Sequence, residues 1–249
     1  MTKPSLSVII LTRQFTSELE KKIQLFPGWL EGILVIEDQE GRGIRQSGPV
    51  KIIVHKLRGD YSSQRNWALK LSKSEWTLFL DDDEIPSNNF FPKLWDILNK
   101  KSWSAIEISR DQMFLGCRLH FGDGGGQRLV RIAKTRLGQK KWQGKIHETW
   151  NVPGHRFVSE LTIEHHNEAS LSNFFQRLHE YAQVDAQERG NIPISHLLVE
   201  LAFFPAAKFL VNYFFKAGWR DHFPGFVHAW CMSYYSAIVR IYQYENSLR

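Results

Sequence analysis

At 249 residues, with 43% hydrophobic and 23% charged residues, the chain has an ordinary globular composition that excludes both disorder and a many-span membrane protein. The length holds one large α/β domain, or a smaller one with an appendage. A net charge of +6 calls for an anionic partner: nucleic acid, acidic lipid or a phosphorylated ligand.

Cys117 and Cys231 make neither a disulfide framework nor a zinc ligand set, which fits a reducing compartment. The apolar run Leu6–Leu11 is too short for a cleavable signal, and polar Thr12, Arg13 and Gln14 follow it instead of small residues. The same run reads as a buried parallel strand. A helix is expected over Thr16–Phe26, closed by Pro27-Gly28, then further buried strands at Gly32–Ile36 and Lys51–His55. Tyr61–Ser72 reads as a helix with Trp67, Ala68 and Leu71 on one side, and Trp76–Leu80 as a fourth strand. This succession predicts a doubly wound, mostly parallel α/β sheet, whose ligands bind at the carboxyl ends of its strands. A helix at Phe91–Leu98 and strands at Ala105–Ser109, Arg128–Ile132 and Leu161–Ile163 follow, with a glycine-rich loop at 122–126. From Ser170 onward the chain reads as helical, with a soft boundary at Gly190–Pro193.

The strongest chemical feature is Asp81-Asp82-Asp83-Glu84, directly after the fourth strand. Adjacent carboxylates repel one another, and a divalent cation lowers that cost; in an extended segment Asp81 and Asp83 point the same way. An acidic turn capping the next helix is the plain alternative. A Walker B reading fails, because Gly138–Ile146 has neither the spacing nor the hydroxyl residue of a phosphate loop. A D-x-D also serves haloacid-dehalogenase-type phosphatases, normally after the first strand, and GT-A glycosyltransferases, after the fourth.

Four segments in order, Ser5–Arg13 (SLSVIILTR), Leu34–Asp38 (LVIED), Gln64–Ala68 (QRNWA) and Trp76–Glu84 (WTLFLDDDE), resemble the ordered blocks of family 2 glycosyltransferases. Gln127–Arg131 (QRLVR), Lys145–Glu148 (KIHE) and His165, with the helix around Tyr181, resemble the branch that includes lipopolysaccharide-core glucosyltransferases. The resemblance implies the GT-A fold over residues 1–190 and an inverting transfer from a nucleotide sugar, a UDP-sugar first, to a glycan or lipid-linked acceptor of the cell-envelope type. It implies that Thr12, Glu37, Asp38, Arg65, Asp81 and Asp83 bind the donor, with Glu37 or Asp38 at the base. It implies that Asp83 holds Mn²⁺ or Mg²⁺, and that Glu148 is the catalytic base. His165 would be a further metal ligand, favouring Mn²⁺, or else a structural histidine beside His166. Glu148 can also be read as a surface partner of Lys145. The sequence departs from the family at Gln14, usually Asn, and at Glu37-Asp38, usually Asp and a small residue.

Residues 191–249 form the extension. Leu197–Phe215 is apolar but interrupted by Glu200, Pro205, Lys208 and Asn212, too polar for an easy span. Aromatic and basic residues follow from Trp219 to Tyr244, which favours peripheral contact with a membrane–water interface over a plain helical hairpin or dimer contact. Together these readings place the protein in the cytoplasm, at the inner face of the membrane. Two other classes stay open: a phosphatase using Asp81 and Asp83, and a non-catalytic basic membrane-binding module. No nucleic-acid motif accompanies the dispersed basic residues, so nucleic acid is not an expected partner.

Overall fold

The computed structural model describes residues 4–41, 43–100, 102–144, 148–166, 171–190 and 192–248. Lys145, Ile146 and His147 of the basic block lie outside them, as does Ser170, the expected start of the helical tail. The elements run β1 (Leu6–Thr12), α1 (Ser17–Gln24), β2 (Gly32–Glu37), β3 (Gly43–Ser47), β4 (Val50–Val54), α2 (Tyr61–Leu69), β5 (Trp76–Asp81), β6 (Glu84–Pro86) and α3 (Phe90–Asn99). There follow β7 (Ala105–Phe114), β8 (Cys117–Arg118), β9 (Gln127–Lys134), α4 (Thr135–Gly138), β10 (Trp142–Gln143), β11 (Thr149–Trp150) and β12 (Arg156–His165). Three long helices close the chain: α5 (Leu171–Arg189), α6 (Ile194–Leu210) and α7 (His222–Ser247).

The expected mixed, mostly parallel sheet is present, in the order β3-β4-β2-β1-β5-β9-β7-β12-β6, with β8 on β7. β1 runs parallel to β2 and β5, and β2 parallel to β4, while β3 pairs antiparallel with β4 and β9 antiparallel with β5. Every residue of β1 is buried, because helices and loops cover both faces of a parallel strand. On one face Val8, Ile10 and Leu78 pack with Leu19 and Ile23 of α1 and Phe90, Leu94 and Leu98 of α3. On the other, Ile9, Ile36 and Phe79 pack with Ala68 and Leu69 of α2 and with Trp142 and Trp150.

Local signals set the helix starts. Thr16 caps α1 by accepting from the Leu19 N–H at 3.2 Å, with Glu18 and Glu20 in the first turn, and Asp60 caps α2 through the Ser63 N–H at 2.8 Å. β3 was not expected from the sequence. Its residues, Gly-Ile-Arg-Gln-Ser, show no apolar pattern, and it forms by pairing at the sheet edge rather than by burying a face.

The chain divides into two compact units, Met1–Arg110 with Arg128–Glu164, and Asp111–Gln127 with His165–Arg249. The first holds the parallel strands. In the second, Phe174, Leu178, Ala182 and Ala186 of α5 pack with Cys231, Ile238 and Val239 of α7 and with Phe114 and Leu119. α5 thus belongs to the helical unit although it precedes the turn residues at Gly190–Pro193.

Candidate active site

The parallel register determines what meets at the carboxyl end of the sheet. Thr12 of β1 stands opposite Glu37 of β2, and Leu11 opposite Asp81 of β5. With neighbouring strands about 4.8 Å apart, the ends of β2, β1 and β5 form one short row of Glu37, Thr12 and Asp81. Ligands of open α/β sheets bind at such carboxyl ends.

Asp81 is held by two guanidiniums. Its Oδ1 accepts from Arg65 Nη2 at 2.6 Å, and its Oδ2 from Arg131 Nη2 at 3.0 Å. Burial pushes this carboxyl up, but Arg65, Arg131 and Arg110 outweigh burial and hold it far below the usual carboxylate range. Arg131 also donates to Glu84 Oε1 at 2.7 Å, Arg110 Nε pairs with the same oxygen at 2.8 Å, and Glu84 Oε2 accepts from the Asp81 N–H at 3.0 Å. Burial works against the Arg131 charge, yet Glu84, Asp81 and Glu148 more than offset it and raise its pKa. Much of the repulsion expected within the acidic cluster is therefore relieved by arginines from β7, β9 and α2.

Asp82 lies 2.6 Å from the Thr12 hydroxyl, and its backbone carbonyl accepts from Lys22 Nζ at 3.2 Å. Its carboxyl is raised, by burial first and then by Asp83 and Asp81, against the Thr12 hydrogen bond and Lys22. Asp83 is partly exposed at the turn between β5 and β6.

Glu148 is brought to this row by Arg65. The Arg65 Nη1 lies 3.3 Å from Glu148 Oε2, so one guanidinium bridges Glu148 and Asp81, and its plane sits 4.7 Å from the centre of the Trp142 ring. Burial raises the Glu148 pKa, and Asp81 adds to the shift, while Arg65 and Arg131 oppose it. A carboxylate tuned upward and kept beside a fixed cation is the state expected of a general base. The Tyr61 hydroxyl lies in the same field; burial raises its pKa, Glu148, Asp81 and Asp38 add to the rise, and Arg13 opposes it.

The two acidic residues after β2 differ. Glu37 has a fully buried side chain whose Oε1 accepts from the Phe15 N–H at 2.8 Å, and Arg45 Nη2 lies 2.9 Å from both oxygens. Asp38 is partly exposed, accepts from the Leu57 N–H at 2.8 Å and has Lys56 at 3.8 Å. His165 lies in the other unit, at the end of β12; it is buried, with Nδ1 2.8 Å from Gln112 Oε1.

Arg131, Arg110, Arg45 and Trp142 were not assigned by sequence reasoning. Arg131 closes the QRLVR block and so carried a signal without a role; the other three carried none. Asp81, whose two oxygens are both engaged by arginines, is poorly placed to act as a phosphatase nucleophile.

A divalent cation is implied by the resemblance. Among the described residues no group of three or more His, Cys, Asp or Glu side chains is placed to hold one. Mg²⁺ and Mn²⁺ at phosphate-transfer sites are commonly held by one or two carboxylates completed by the substrate's phosphates. Asp83, with Asp82 beside it, offers hard oxygen donors of that kind, so the residues present fit a site completed by a diphosphate.

Residues 35–149 match the family model described as glycosyl transferase family 2. No curated protein matches the chain. Among solved structures, GalNAc-T7 with UDP, GalNAc and Mn²⁺ superposes with a TM-score of 0.50 at 13% identity, over 65% of this chain and 44% of that one. The chain thus spans less than half of that structure, and the likeness speaks to the fold alone. S. aureus TarS 1–349 (TM-score 0.43, 13% identity, 98% of this chain and 91% of that one) and the bifunctional IspDF from Campylobacter jejuni (0.38, 15%, 63% and 49%) superpose too loosely to bear on the fold. The fold is GT-A, an α/β sheet with a helical C-terminal region, and the family match over 35–149 supports a family 2 glycosyltransferase.

Proposed function

We propose that the chain is a metal-dependent, inverting glycosyltransferase, moving a hexose from a UDP-sugar to a glycan or lipid-linked acceptor in cell-envelope polysaccharide or lipopolysaccharide assembly. The observation that carries this reading is the Arg65 bridge, which sets Glu148, its pKa raised, beside the acidic end of β5. The UDP and Mn²⁺ in the GalNAc-T7 structure favour the same donor chemistry.

Glu148 accepts the proton of the acceptor hydroxyl as that oxygen bonds to the anomeric carbon. The bond from that carbon to the diphosphate oxygen breaks on the opposite face, and configuration inverts. Arg65 and Arg131 supply fixed positive charge near the departing diphosphate. Thr12 and Asp38 border the base and ribose, and Glu37, clamped by Arg45, shapes the wall behind them. Asp83 would hold the cation. When bound, the cation neutralises charge developing on the leaving group. Residues 1–190 would perform this chemistry, and 191–249 would keep the enzyme at the cytoplasmic face of the membrane.

Two substitutions test the assignment. Glu148→Gln keeps the shape of the side chain but cannot take a proton. Single-turnover transfer with saturating donor should fall about 10²–10⁴-fold while donor affinity survives. In Asp83→Ala, calorimetry should show that Mn²⁺ no longer strengthens nucleoside-diphosphate binding. Near wild-type transfer by Glu148→Gln would remove it from the mechanism, and unchanged Mn²⁺-dependent affinity would remove Asp83.

A further inference from the structure

The helical unit carries an apolar surface that neither its own core nor the transfer chemistry uses. α6 and the π-helical turn after it, Val211–Phe215, form a continuous stretch of 22 residues, Ile194–Phe215, almost none of it buried. Leu198, Val199, Phe203, Phe214 and Phe215 are all more than half exposed, and of α6 itself only Leu197 is buried.

Glu200 and Lys208 of this stretch, and Lys216 just after it, are partly exposed yet each is paired within the unit. Glu200 pairs with Arg240 of α7 at 3.1 Å. Lys208 and Lys216 reach the two carboxylate oxygens of Asp123 at 2.7 and 2.6 Å. Asn212 is buried, donating to Asp123 Oδ2 at 3.0 Å and accepting from the Asp123 N–H at 2.6 Å. A water-facing helix has no need to pair its lysines, because water solvates them; pairing every charge is what a low-dielectric neighbour requires. Outside this face stand the exposed aromatics Trp219, Phe223 and Trp230 and the exposed cation Arg220, a combination suited to the headgroup layer.

At about 1.5 Å per residue the stretch is about 33 Å long, enough to cross a bilayer core. Its packing says otherwise. α6 lies along α7, with Glu200 against Arg240, Ser233 bonded to the Pro205 carbonyl, and Phe209 against Phe226. α5 lies along the same stretch of α7, from Phe174 against His228 to the Gly190 carbonyl, which accepts from Gln243. α5 exposes Glu180, Glu188 and Arg189. A crossing α6 would carry those charges into hydrocarbon with it.

We infer that α6 lies in the plane of the membrane, with its outer face in the acyl chains of one leaflet, so that the protein is monotopic and integral rather than peripheral. This rests on the membrane contact proposed above, and its occupant is lipid hydrocarbon, not anionic headgroups and not a second copy of the chain.

The test is flotation of the full-length protein with vesicles of neutral phosphatidylcholine, followed by high-salt and alkaline carbonate washes. The protein should stay bound through both and leave only with detergent. Phe203→Glu combined with Phe214→Glu should lower the partition about a hundredfold or more, since each buried ring contributes about tenfold or more. An unchanged thermal transition in detergent would show that the variant is folded. Depth quenching of a fluorophore on Leu198→Cys and, separately, on Phe214→Cys should place both at one shallow depth. Binding only to anionic vesicles, reversed by salt, would leave the membrane contact standing and overturn insertion. Binding to no vesicle would overturn both. A lipid-free dimer that the double variant dissociates would give the face to a second copy, and depths differing by about 24 Å, the rise over sixteen residues, would mean that α6 crosses. Either result overturns the inference.

Discussion

The carboxyl end of the parallel strands and the outer face of α6 both manage charge inside a folded chain, by opposite means. At the strand ends Arg65, Arg110 and Arg131 interleave with Asp81, Glu84 and Glu148, and Asp81 and Glu148 keep part of their side chains open. On and beside α6, Glu200, Lys208 and Lys216 each have a partner within the unit, and the exposed face around them is largely apolar. The first arrangement keeps fixed positive charge beside partly open carboxylates. The second neutralises charge beside an apolar surface. Paired charge therefore indicates a ligand site or an apolar neighbour according to what surrounds the pairs.

The largest effect should come from the innermost cation of the first region. Arg131→Met leaves Glu84 buried with one guanidinium fewer and Asp81 with one oxygen unmatched, a loss of about 3–5 kcal/mol of stability. Urea unfolding would measure it, and a loss below about 1 kcal/mol would mean that Arg110 and Arg65 suffice.

In the second region Asp123→Asn leaves Lys208 and Lys216 against the apolar helix. Both lysines are partly exposed, 38% and 51% of the side chain, so the loss in solution should be only about 1–2 kcal/mol. The same variant should float less well with neutral vesicles, because its cations enter the lipid unpaired. Equal flotation would show that the pairing serves the fold and not the surface.

The smallest effect concerns pH. Glu148 works as a base only when ionised, and its pKa is raised by burial and Asp81. The acid limb of transfer should therefore lie above the ordinary glutamate value of about 4.3. Arg65 opposes that rise, so Arg65→Gln should move the limb to still higher pH; movement downward would break the link between the bridge and the base. Asp81 follows the other sign. Its folded pKa is depressed, so its contribution to stability is whole above the unfolded value of about 3.9 and is lost as pH falls below that.

Much of the fold was legible in the sequence, because β1, β2, β4 and β5 are short apolar runs, β-branched in the first three, of the kind buried parallel strands show. Helix ends were less so: α2 stops at Leu69, and from there to Ser72 the chain continues only in i→i−3 turns, Leu71 N–H to the Ala68 carbonyl and Ser72 N–H to the Leu69 carbonyl. β3 was illegible, since a polar edge strand has no pattern of its own. At the site, Asp81 to Glu84 stood out by charge and position. Their counter-ions did not, because Arg131 and Arg110 come from strands far along the chain and nothing local marks an arginine as someone else's partner. Glu148 was found only through the family resemblance, and the Arg65 bridge through the structure alone. The neutralised charges of α6 show the same limit: Glu200 and Lys208 read as interruptions of an apolar run until Arg240 and Asp123 are seen beside them.

The strand that escaped notice has a consequence for the edges of the sheet. A sheet ends in a row of unpaired N–H and C=O groups that invites a further strand from another molecule. Here one end of the row is β3, short and polar, and the other is β6, three residues closing on Pro86, which has no N–H to offer. β3 does more than discourage fibre growth, because its Arg45 is the clasp on the buried carboxylate of Glu37. Protection of the sheet edge and, on the proposed reading, the wall of the donor site would thus fall in the same five residues.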